Sequence, residues 1–252
     1  MSSSQVTSKS PVPTLEYEKQ SGAPQLKVAG VDEVGRGCIA GPVIAAAVIL
    51  PESAYDDQTC PEWLSEVRDS KLLSARQRSK LEGLIQEYAL AWAVGEASVS
   101  EIDEINILRA SQLAMGRAVG LLKNRPDFVW VDGNLLPSEA VLPHPARPLV
   151  KGDQKSLTIA CASVIAKVHR DRLMDQLEVE CPGFGMAQHK GYGTPTHLKV
   201  IREKGITVWH RQSFAPVREA RDRSGLILAP EQPHESGNLN FAPTISSESN
   251  AL

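Results

Sequence analysis

Lys27-Val28-Ala29-Gly30-Val31-Asp32-Glu33-Val34-Gly35-Arg36-Gly37 decides how this chain is read. A short apolar run ends on two adjacent carboxylates and breaks at once into a glycine-flanked arginine. Asp and Glu are depleted in strand interiors and costly to bury unpaired. The run therefore reads as a strand over 26–31 that delivers acids to the edge of a sheet. Beyond the break, Pro42 to Leu50 is almost wholly apolar and predicts a strand buried on both faces. Ser74 caps a predicted helix with Leu81, Leu84, Ile85 and Tyr88 at helical spacing. Strand character returns around Trp92 and Val94. A helix from Ser100 to Lys123 follows, its buried stripe marked by Leu108, Met115, Val119 and Leu122.

Phe128 to Asp132 is a further strand that stops on a carboxylate before Gly133. A proline-bearing loop over 135–149 leads to a stub of strand at Leu149-Val150, then Lys151-Gly152-Asp153. Ser156 opens a long helix to Glu180, and Thr194 to Lys204 reads as a short one. Strands alternating with helices define an α/β domain. Its expected span is 26–223, between a disordered leader over 1–25 and a disordered tail over 224–252, both polar and rich in Ser and Pro.

The 252 residues carry a net charge of −3, which by itself argues against a nucleic-acid partner. The average conceals a gradient. Residues 26–146 hold 11 Lys/Arg against 17 Asp/Glu, whereas 147–225 hold 14 against 8. An acidic half beside a basic half suits cations bound next to a polyanion; two unevenly charged solvated surfaces are the plainer reading. The four cysteines form no CxxC pair, so neither a thiolate zinc site nor a disulfide framework is expected. No apolar run approaches membrane-spanning length, and the expectation is a soluble cytoplasmic monomer without membrane partners.

Asp32, Glu33, Asp132 and Asp153 each adjoin a predicted strand end, where α/β sheets build their sites. Taken alone, Asp132 or Asp153 before or after a glycine is more often a turn residue. Four converging acids cannot all ionise without counter-charge. Oxygen ligands of this kind favour Mg²⁺ or Mn²⁺, and two such ions about 4 Å apart would serve phosphodiester hydrolysis. A glycosidase pair would also need aromatic platforms, which a 5% aromatic content scarcely provides. For phosphate there is Gly35-Arg36-Gly37, neither a Walker A loop nor a GxGxxG. Ser70, Lys71, Lys151, Lys167, Arg170 and Lys190 are candidate backbone contacts, though each alone reads as a surface charge or polar group. Tyr192, between glycines, is equally a stacking platform or a side chain packed under its own loop.

Together these stretches resemble a known family. Val31-Asp32-Glu33-Val34-Gly35-Arg36-Gly37, Gly41-Pro42-Val43, Asp69-Ser70-Lys71, Val131-Asp132-Gly133 and Lys151-Gly152-Asp153 occur in the order of the bacterial type 2 ribonuclease H (ribonuclease HII) family. So do Ser163 to Val168 and His189-Lys190-Gly191-Tyr192-Gly193. The resemblance implies a ribonuclease H-like fold, a central mixed sheet flanked by helices with a small C-terminal helical extension. It implies cleavage of RNA in RNA–DNA hybrids, and incision 5′ to single ribonucleotides in duplex DNA, leaving 3′-hydroxyl and 5′-phosphate ends. By the same resemblance Asp32, Glu33, Asp132 and Asp153 are the catalytic metal ligands. Gly35, Arg36 and Gly37 contact the ribose 2′-hydroxyl, and Tyr192 stacks on the following deoxyribose. The 2′-hydroxyl is the group that separates RNA from DNA. Leu72 and Gln212 depart from the family pattern, which commonly has basic residues there.

Overall fold

The computed structural model describes residues 12–228. In chain order the elements are α1 (Glu16–Gln20), β1 (Val28–Val34), β2 (Val43–Ile49), α2 (Ala75–Tyr88), β3 (Ala91–Ala97), α3 (Val99–Ile105), α4 (Ile107–Gly120), β4 (Phe128–Asp132) and β5 (Ala146–Leu149). Then come α5 (Leu157–Glu180), α6 (Met186–His189), α7 (Pro195–Lys204), β6 (Ile206–Thr207), α8 (Ala215–Ser224) and β7 (Ile227–Leu228).

The main sheet runs β3-β2-β1-β4-β5. β1 is antiparallel to β2 and parallel to β4, and β5 is parallel to β4, so the sheet is mixed as expected. β2 is buried along its whole length because it has a helical layer on each side. Val43, Ala45, Ala47 and Ile49 pack with α3 and α4; Ile44, Ala46 and Val48 pack with α2 and α5. On β1, Gly30 meets α5 so closely that a Cβ there would lie 2.3 Å from the Ile159 nitrogen. That contact seats the N-terminal end of α5 directly over the middle of the sheet. Among the described residues no helix is long and apolar enough to cross a membrane.

Several boundaries differ from the sequence reading. β1 continues to Val34, so Asp32 and Glu33 lie on the strand rather than after it. The helix expected from Ser100 to Lys123 is two helices, split where Asn106 takes φ 68° and caps α4 through Leu108 and Arg109 N–H. Leu108, assigned to the buried stripe, is exposed; it lies in the first turn of α4.

The expected leader over 1–25 also reaches too far. Residues 16–20 form α1, whose Glu18 is fully buried. Its carboxylate accepts from Ser156 Oγ at 2.6 Å, Thr158 N–H at 3.0 Å and Thr158 Oγ1 at 2.7 Å, while Tyr17 packs edge-on against Trp130. A short polar segment is therefore ordered by long-range contacts that local composition does not register. At the other end Ser224 still belongs to α8, and β7 pairs with β6. The remaining leader and tail positions, 1–11 and 229–252, lie outside the described residues.

Candidate active site

The sheet register builds the site. Val31 of β1 is level with Val131 of β4, which sets Asp32 beside Asp132 at the same end of two parallel strands. Oxygens of Asp32, Glu33 and Asp132 lie within 4.8 Å of one another. The Gly152 N–H donates to Asp132 Oδ1 at 2.6 Å, tying the β4 acid to the 3₁₀ turn that carries Asp153. Asp153 is buried and lies outside the group of three, but it feels the charge of Asp132.

At 4.8 Å, two carboxylates repel by about 3 kcal/mol at an effective dielectric of 20. The titration of the group reflects this. Burial, then Glu33 and Asp132, push Asp32 well above the ordinary carboxylate range, with a hydrogen bond from Ser163 opposing them. Burial lifts Glu33 to about 7; Arg36 opposes this and Asp132 adds to it. Burial, Asp69 and Asp132 raise Asp153 to about 6. The nearby cations are Lys71, which four surrounding carboxylates hold above its ordinary value against partial desolvation, and Arg36, 3.3 Å from Glu33. Two cations do not neutralise the acids gathered here. The donor set, carboxylate oxygens with no Cys or His, suits a hard divalent cation.

Beside the acids, Gly35-Arg36-Gly37 turns sharply, with Gly35 at φ 97° and Cys38 N–H donating to the Gly35 carbonyl. A Cβ on Gly35 would lie 2.3 Å from Arg170 Nε. Tyr192 reaches the same loop: Cys38 and Tyr192 form an antiparallel bridge, and a Cβ on Gly37 would be 4.0 Å from Tyr192 Cε1. The Tyr192 ring is 45% exposed, so it is not packed under its own loop.

The other candidate contacts divide. Lys71, Lys151 and Arg36 are exposed. Ser70 turns inward, its hydroxyl 3.0 Å from Ser163 Oγ. Lys167 pairs with Asp171 at 2.5 Å, and Lys190 pairs with Asp175 and donates to the Asp171 carbonyl. Arg170, a candidate phosphate ligand in the sequence, is buried; it donates to the carbonyls of Pro42, Lys190 and Ala40.

Three contributors went unrecognised as such. Asp69 is buried, accepts from Lys71 N–H and acts on Asp153. Ser163 joins Ser70 to Asp32. Arg211 is fully buried and donates to the carbonyls of Arg36, Cys38, Gly41 and Pro42, holding the glycine loop from beneath. Asp69 and Ser163 stand in motifs quoted above, but only the fold shows that they meet.

A mixed sheet that collects acids at the paired ends of β1 and β4 fits a metal-dependent nuclease of the ribonuclease H-like class. The sequence model of the ribonuclease HII family matches residues 29–217, and the chain belongs to that family. It is 49% identical to a ribonuclease HII of Rhodospirillum rubrum over 216 residues, covering 85% of this chain and 94% of that one. It is 50% identical to one of Methylococcus capsulatus over 197 residues, covering 78% and 96%. Among solved structures, ribonuclease H2 from Pyrococcus horikoshii superposes with a TM-score of 0.64 at 28% identity, covering 79% of this chain and 98% of that one. The ribonuclease HII of an Archaeoglobus fulgidus complex with PCNA gives 0.61 at 26% identity, covering 77% and 96%. The activity of the family is cleavage of the RNA of RNA–DNA hybrids.

Proposed function

We propose that this chain, besides cutting the RNA strand of hybrids, incises duplex DNA on the 5′ side of a single embedded ribonucleotide. In this reading the products carry 3′-hydroxyl and 5′-phosphate ends. Asp32, Glu33, Asp132 and Asp153 hold Mg²⁺ or Mn²⁺. Two such ions would supply an activated water and stabilise the leaving oxygen. The chain's own residues do the rest. The carboxylates orient one another, Asp132 through the Gly152 amide, and Lys71 and Arg36 bring positive charge to the approaching backbone phosphates.

The observation that carries the reading is the contiguity of acids, loop and ring. Glu33 contacts Arg36 of the loop, and Gly37 of the loop adjoins the exposed Tyr192 ring. A ribose seated on the loop would thus lie beside the bond to be cut, its 2′-hydroxyl facing backbone groups and the next sugar facing Tyr192. Ser70, Lys167 and Lys190, engaged within the protein, fit better as supports than as phosphate contacts. A monomer in the cytoplasm completes the proposal, and light scattering of the purified chain tests the monomer.

The decisive assay uses a duplex with one ribonucleotide, Mg²⁺ or Mn²⁺, and wild type beside Asp132→Asn. Incision by wild type alone is expected; equal incision by both sinks the mechanism. Replacing the ribonucleotide with its 2′-deoxy form should abolish cutting, and undiminished cutting refutes the 2′-hydroxyl sensor.

A further inference from the structure

Three imidazoles stand behind Tyr192. His189 and His197 stack with ring centroids 3.8 Å apart, and His197 Nε2 lies 3.0 Å from His210 Nε2. His197 and His210 are fully buried. Two facing ring nitrogens can hydrogen-bond only if one carries a proton and the other does not. The backbone decides which. The Thr207 N–H donates to His210 Nδ1 at 3.0 Å, so that nitrogen is bare and the proton of His210 is on Nε2. His210 therefore donates to His197 Nε2, and the proton of His197 is on Nδ1, 2.9 Å from the Tyr192 carbonyl. His189 is fixed in the same way: Gly191 N–H donates to its Nδ1, so its Nε2–H donates to the Phe184 carbonyl.

We propose that His210 and His197 are positioning residues for substrate recognition: a one-way hydrogen-bond chain from the Thr207 amide to the Tyr192 carbonyl sets the angle of the Tyr192 ring. The inference rests on the reading of Tyr192 given above. The loop needs such a restraint. Lys190 and Gly191 both take positive φ, 51° and 82°, and the ring itself is half in solvent. The Tyr192 amide is held by the His189 carbonyl at 2.9 Å; the Tyr192 carbonyl takes Thr194 N–H as well as His197. Each donor in the chain polarises the next, so the restraint is stiffer than separate bonds. Burial, with repulsion from His189 in one case and His197 in the other, holds His197 near 4 and His210 near 3. Both rings are thus neutral at the pH of the assay.

Nitrogen-15 spectra of the histidine-labelled wild-type protein at pH 7 test the chain without any substitution. The expected result is His210 protonated on Nε2 only and His197 on Nδ1 only; the opposite tautomers, or an imidazolium, overturn it. Kinetics then test its purpose. An Asn amide occupies the place of Nδ1 and a Gln amide that of Nε2, so His197→Asn keeps the donor to Tyr192 and His197→Gln loses it. With a duplex bearing one ribonucleotide, His197→Gln should raise KM about five- to tenfold. His197→Asn should stay near wild type, as should both variants on a continuous hybrid, which offers no following deoxyribose. Equal behaviour of the two variants, or equal losses on both substrates, makes the histidines mere packing. Tyr192→Ala separates the two readings. If it cuts the single-ribonucleotide duplex normally, the role of Tyr192 fails; if it is impaired while His197→Gln is not, the chain alone fails.

Discussion

At one corner of the molecule Asp32, Glu33 and Asp132 crowd within 4.8 Å with too few cations to balance them. At the adjoining corner Arg170 and Arg211 lie buried and, among the described residues, form no ion pair. Both corners concentrate charge of one sign, yet they are built differently. The guanidinium groups are surrounded by seven carbonyl contacts, which supply negative dipoles in place of carboxylates. Burial and the neighbouring Arg170 draw Arg211 down to about 10, and it remains charged at neutral pH. The acids have few comparable donors, and their protons are held more tightly instead. A charge satisfied by the chain itself is architecture; a charge left for a cation to satisfy is a site.

Breaking the acidic corner should give the largest effect. Asp132→Asn is expected to lower hybrid cleavage by about 10³-fold, because it removes a proposed metal ligand that would act in the transition state. The same substitution should slightly raise the melting temperature of the metal-free protein, since it relieves repulsion. Breaking the cationic corner should do the reverse, with stability as the first casualty. Arg211→Met leaves four carbonyls short of a donor and should cost at least about 3 kcal/mol in urea unfolding, and Arg211→Lys should recover little of it.

Gly35 joins the corners. Gly35→Ala forces a side chain at φ 97° against Arg170 and should cost about 1–3 kcal/mol together with activity.

pH sharpens the contrast further. Glu33 and Asp153 bind protons more tightly in the folded than in the unfolded chain, so the folded state holds more protons between the ordinary carboxylate range and about 7. Stability of the metal-free protein should fall as pH rises through that window. Mn²⁺ or Mg²⁺ should restore it most at the upper end, where the proposed ligands are ionised. Melting curves with EDTA or metal at pH 5 and 7.5 measure both. The smallest effect calibrates the others: Lys80 and Glu66 form an exposed pair at 3.1 Å, and Lys80→Ala should change stability by about 0.5 kcal/mol or less.

Much of the acidic corner was legible in the chain because its signals are local. An apolar run ending in Asp32-Glu33, a strand stopping at Asp132 and a Ser156-capped helix each show within a few residues. The buried β2 and the helix after Ser74 were equally plain. The cationic corner was misread for the converse reason. Arg170, between Lys167 and Arg172, reads as a surface charge or a candidate phosphate contact until the fold brings the Ala40 and Pro42 carbonyls to it. Glu18 likewise passed for part of a polar leader, since its partners lie in another part of the chain. Asn106 split one helix into two because a side-chain cap and a positive φ outweighed a continuous helical pattern.

The separations along the chain carry a consequence for synthesis. Glu18 is joined to Thr158 across 140 positions, and Arg211 to Gly41 across 170. The carboxylates of β1 emerge early from the ribosome, but the clamp beneath the glycine loop is among the last described parts to arrive. Contacts of such long range close slowly. A nascent chain therefore carries two of its four acids long before it holds the loop proposed to discriminate between sugars. In the proposed reading, recognition would be completed only once the chain has been made as far as Arg211.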